Sequence, residues 1–137
     1  MGVKTKEKMK REILFRGARV CDGQFVNGSL VKVNGECDSN KSVPHIVVSY
    51  GPNTFDWFEV EPETVGQFTG MTDKNGTKIF EGDIFNIGAE DNIYTVKFDY
   101  GCFLAYEDDV QVGILAELAT MFVKIIGNIH DNKELLQ

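Results

Sequence analysis

Residues 64–84 read TVGQFTGMTDKNGTKIFEGDI, and this run decides the fold. Thr64–Thr69 has the composition of a strand, with Gly66 permitting a bend or bulge. Asp73-Lys74-Asn75-Gly76 is a strong turn signal, because Asn-Gly tolerates the left-handed conformations of a type I′ hairpin. Thr77–Phe80 leaves that turn as a second strand, and Glu81-Gly82-Asp83 turns again into Ile84–Ile87. Asp73-Lys74-Asn75-Gly76 begins like a calcium loop, but the sixth and twelfth positions are Lys78 and Ile84 instead of Gly and Glu, so a turn is the better reading.

Downstream, Ile93–Asp99 alternates Tyr94, Val96 and Phe98 against Ile93, Thr95 and Lys97, a half-buried antiparallel strand. Asp99-Tyr100-Gly101 turns it back into Cys102–Tyr106. Short strands with tight turns at this spacing match a small SH3-like barrel over Gly82–Ile129. Ile114, Leu115, Leu118, Met121 and Phe122 recur at spacings of three and four after Asp109, a candidate N-cap, so the pattern predicts one short helix within Val110–Phe122. Val123–Ile126 is a closing strand, and Asp131–Gln137 a terminal helical turn.

Upstream, Pro62 marks a strand boundary or sheet edge. Phe55–Glu61 sets Phe55, Trp57 and Glu59 against Asp56, Phe58 and Val60, with aromatics on both sides. His45–Tyr50 is continuously apolar, as expected of a strand buried on both faces or one at the centre of a sheet. Asp22-Gly23, Asn27-Gly28 and Asn34-Gly35 divide the preceding residues into short strands, Gln24–Val26 and Ser29–Val33, behind a first strand in Arg11–Arg16. The expected organisation is a flexible basic tail over 1–10, a β-meander over 11–60 and the barrel over 61–137, the last two packed as one unit.

The 137 residues suffice for a core without staples. The net charge of −7 splits into +4 over residues 1–11 and −11 over the remainder, and an acidic body of that size repels a phosphate backbone, which argues against general duplex DNA binding. No apolar run is long enough to span a membrane and no signal-peptide core is present, so the expected location is the cytoplasm. Cys21, Cys37 and Cys102 have no C-x-x-C spacing and read as packing residues in a reducing compartment. His45 and His130 stand apart from every Cys, no phosphate-binding glycine loop or G-x-S-x-G elbow occurs, and no metal, cofactor or catalytic residue is assigned. Asp73, Glu81, Asp83 and Asp99 fall at turns, where carboxylates bond their own backbone.

Three segments, REILFRG at 11–17, ETVGQFTGMTDKNGTKIFEGDIF at 63–85 and IIGNIHDNKELL at 125–136, resemble the signature of the YopX-like proteins. The resemblance implies an SH3-like barrel and a setting in a bacteriophage, prophage or conjugative element, without implying a reaction. The leading expectation is a non-catalytic module binding an unidentified protein partner, with Trp57, Phe58, Tyr94 and Tyr100 as candidate interaction residues and self-association possible through sheet edges. The alternatives are a nucleic-acid role, by single-strand stacking or by acidic mimicry of DNA, and a small hydrolase built on an Asp or Glu.

Overall fold

A computed structural model describes residues 11–34, 42–88, 92–118 and 120–136. Eleven strands occur among them: β1 Phe15–Ala18, β2 Phe25–Asn34, β3 Ser42–Gly51, β4 Thr54–Glu59, β5 Gly66–Thr72, β6 Lys78–Phe80, β7 Asp83–Ile87, β8 Tyr94–Asp99, β9 Cys102–Glu107, β10 Val110–Ile114 and β11 Val123–Asn128. They form two antiparallel sheets, ordered β4-β3-β2-β1-β5-β6 and β10-β9-β8-β7-β11. The core cluster joins Phe85, Val96, Ala105 and Val123 of the second sheet to Ile79 of β6 and to Leu115.

The expected closed barrel is not present. The hairpin β5–β6 pairs with β1, through Phe15 opposite Gln67 and Arg16 opposite Gly66, which places it in the first sheet and leaves β10 as an open edge of the second. β1 to β4 do run as a meander of adjacent strands. Asn27-Gly28, expected as a turn, lies inside β2: residues up to Gly28 pair with β1, and Ser29 onward pair with β3. Glycine is needed there for room, since a Cβ at Gly28 would stand 2.2 Å from the Val47 carbonyl oxygen. Gly28→Ala is therefore expected to cost about 1–3 kcal/mol, readable in chemical denaturation, because backbone and not a flexible side chain must move.

The expected helix within Val110–Phe122 is also absent. Asp108 and Asp109 take φ of 49° and 64°, a two-residue reversal of type I′ character that joins β9 to β10 instead of capping a helix. The β-branched Val110 and Val112 then extend the sheet, and a register shift between Gln111 and Gly113 breaks their alternation. The spacing of three and four arises from two short 3-10 turns, Leu115–Glu117 and Thr120–Phe122, the first of which buries Leu115. At the Asn75-Gly76 turn only Gly76 has positive φ, so its geometry is not type I′. The chain ends in a 3-10 turn at Lys133–Leu136.

Two polar joints tie the sheets together, both from the 64–84 segment. Asp73, 6% exposed, accepts the amides of Asn75 and Thr77 on one oxygen at 2.9 Å each, and that of Ile125 in β11 on the other at 3.1 Å. Alongside, the Lys74 amide donates to the Val123 carbonyl. Asp83, 2% exposed in β7, pairs with Arg16 of β1 at 2.7 Å and accepts the Phe80 amide. The Arg16 guanidinium lies over the rings of Phe25 and Phe80.

Candidate functional site

The meander curls so that the end of β4 meets the end of β1. Arg19 bridges Val60, the Val20 amide donates to the Glu59 carbonyl at 3.0 Å, and the Glu61 amide donates to the Ala18 carbonyl at 2.9 Å. On the other side of the strand, the Val60 amide donates to Pro44 in β3. Backbone groups along an antiparallel strand point alternately to its two neighbours. Asp56 and Phe58, in step with Val60, therefore bond to β3, while the N–H and C=O groups of Phe55 and Trp57 point the same way as those of Glu59, away from β3.

Beyond Val20 the chain turns off through Cys21-Asp22-Gly23 and the line of bonds stops. Phe55 and Trp57 consequently present backbone donors and acceptors along an edge that no described strand covers. Their side chains remain exposed too, at 52% and 50%. Trp57 meets Phe55 edge-on at 6.4 Å between centroids, and His45 edge-on at 6.3 Å, so a row of rings lies beside the unpaired backbone. His45 is half-buried, and its Nδ1 lies 3.1 Å from the Val43 carbonyl.

The four candidate interaction residues do not converge. Trp57 lies in this row, whereas Phe58 faces the other side of β4 with the Arg19 guanidinium 5.2 Å from its ring centroid. Tyr94 is in the other sheet, stacked on Phe85 at 5.5 Å and packed against the core. Tyr100, 83% exposed, takes a φ of 51° in the β8–β9 turn. Phe55 was absent from the candidates although its two-residue spacing from Trp57 already put both on one side; Asp56 and Glu59, on the same edge, carried no signal before the edge itself was visible.

Elsewhere the carboxylates named at turns occupy separate places. Asp73 and Asp83 serve the joints, and Asp99 accepts its neighbour's amide and the Tyr106 hydroxyl. Burial holds the Asp83 carboxyl above the usual carboxylate range, against the pull of Arg16 and the Phe80 amide. Burial also acts to raise Asp73, but its three backbone donors outweigh that and hold it below the range. Beside the Arg16 joint, burial and the Arg16 charge lower the His130 imidazole. A groove of about 700 Å³ runs past Thr95, Lys97, Tyr106 and Leu135, where Lys97 is already paired with Asp109 and lies over the Tyr106 ring.

No group of three or more metal-ligating side chains occurs among the described residues, and none of their helices is long and apolar enough to cross a membrane. Cys21 is exposed in its turn, which corrects its reading as a packing residue; Cys102 is half-buried, and Cys37 lies outside the described residues.

The fold has a solved counterpart. Protein EF1440 from Enterococcus faecalis is similar in structure, with a TM-score of 0.58 and 24% identity over 93% of this chain and 99% of that one. No curated protein matches the sequence. The model of the YopX protein family matches residues 14–137, nearly the whole chain and all eleven strands. The chain belongs to the YopX protein family.

Proposed function

We propose that this protein is a non-catalytic interaction module of the bacterial cytoplasm, serving a phage or other mobile element, and that it takes up an extended segment of a partner protein along β4. The observation that carries the reading is the coincidence of unpaired outward backbone at Phe55 and Trp57 with the exposed rings of the same two residues. Strand addition draws affinity from main-chain hydrogen bonds and selectivity from side chains on alternate positions, and this edge offers both. An exposed edge invites promiscuous pairing unless it is short or charged; here the open stretch is short and carries Asp56, with Glu59 at its closed end.

The test uses a substitution that removes one outward donor while leaving the bonds to β3 intact. Phe55→Pro lies on the edge, where proline is tolerated. The variant should retain the wild-type circular dichroism spectrum and melting temperature but lose capture of the partner by at least about tenfold, equivalent to ~1.4 kcal/mol. In wild-type protein the Phe55 and Trp57 amides should exchange with solvent faster than those of Asp56 and Phe58, and become protected when the partner is bound. Undiminished capture by Phe55→Pro, or protection appearing elsewhere with β4 unchanged, would place the interface off this edge.

A further inference from the structure

The segment 42–64 is acidic without exception: it holds Asp56, Glu59, Glu61 and Glu63 and has neither Lys nor Arg. Asp56 and Glu59 are exposed and have no ion-pair partner among the described residues. Side-chain alternation puts Asp56 on the opposite side from Phe55 and Trp57, so a strand laid along the open stretch meets a carboxylate on that face, and Glu59 stands at the closed end where Val20 bonds β4. Arg19, which bridges Val60 beside this edge, is already engaged with Asp22 and the Phe58 ring.

Resting on the reading of β4 as a docking edge, we infer that the segment it accepts is basic: an extended chain with Lys or Arg opposite Asp56, running towards Glu59 at the closed end of the edge, and an apolar side chain opposite Trp57. Opposite charges directly across a strand pair attract and like charges repel, so the edge selects by sign. A second copy pairing through its own 42–64 segment is disfavoured on the same ground, because that segment would bring four further carboxylates and no Lys or Arg against the first four.

Trp57 is the single tryptophan of the chain, so its emission reports on this site alone. The experiment titrates the full chain with an octapeptide of alternating lysine and valine, and separately with one of alternating glutamate and valine. The lysine peptide should shift Trp57 emission to shorter wavelength with saturation, bind at least about tenfold more tightly than the glutamate peptide, and weaken as salt is raised. In the Asp56→Lys/Glu59→Lys variant, both changes being at exposed positions, the preference should reverse.

Equal response to the two peptides would overturn selection by charge and leave strand addition standing. A folded chain whose Trp57 emission answers neither peptide would overturn both readings. A shift that follows protein concentration without peptide would make a second copy the occupant and overturn the basic-segment assignment.

Discussion

Arg16→Met is expected to lose about 3–5 kcal/mol of folding stability at neutral pH, the cost of leaving one member of a buried ion pair without its partner. Asp83 is nearly inaccessible, and beyond Arg16 its one other hydrogen-bond donor among the described residues is the Phe80 amide. Without the guanidinium, its charge has no compensation and its ionisation moves further up.

The pH dependence follows from sign. Asp83 already binds its proton more tightly folded than unfolded, because burial outweighs Arg16. Stability contributed by such a group is fully present below the unfolded value, near 3.9, and is lost as pH rises through the folded one. Taking away Arg16 raises the folded value and widens that window, so the variant's deficit should shrink as pH is lowered from 7 towards 5, while Asp83 becomes a neutral acid. Adding Asp83→Asn, which removes the charge but keeps an oxygen for the Phe80 amide, should restore most of the loss at pH 7. Urea titrations of the four proteins of this cycle at two pH values measure it. A deficit independent of pH, or a double variant as unstable as the sum of the two singles, would show that the cost lies in lost packing against Phe25 and Phe80 and not in the stranded charge.

Asp73→Ala is expected to cost ~3 kcal/mol, since three part-buried amides lose their acceptor and a typical hydrogen bond contributes about 0.5–1.5 kcal/mol net. Two of the three, from Asn75 and Thr77, shape the β5–β6 hairpin; the third, from Ile125, belongs to the other sheet. Loss should therefore appear as faster amide exchange at Ile125 as well as in the hairpin. The sign here is opposite to that at Asp83. Asp73 is held below the usual range by those donors, so its contribution is present above the unfolded value and disappears as pH falls through the folded one. Wild type and Asp73→Ala should then converge in stability at the acid end of the titration, whereas Arg16→Met approaches wild type already on mild acidification. A constant gap between Asp73→Ala and wild type down to pH 2 would contradict the assignment to the carboxylate charge.

The strands themselves were legible in the residues. Alternation in Tyr94–Asp99 and Thr54–Glu59, the apolar run at His45–Tyr50 and the turn residues at Asp73–Gly76 all correspond to elements of the structure, because local sterics and burial on one face act over a few residues. The same local rules misread Val110–Phe122, where a reversal at two aspartates, a bulge and 3-10 turns together imitate helical spacing. They also misread Asn27-Gly28, where glycine answers a neighbouring strand's approach and not a turn.

What the sequence determined by itself was a chain of short antiparallel strands, the family signature and the acidity of residues 42–64. Only the tertiary structure decided that β5 joins β1 instead of closing a barrel, that Arg16 meets Asp83 across 67 residues of chain, and that Ala18–Val20 bonds the end of β4 and leaves Phe55 and Trp57 open. Each of these depends on which strand lies beside which. Pairing between distant strands is settled by the packing of both faces at once, and no stretch of a few residues carries that information.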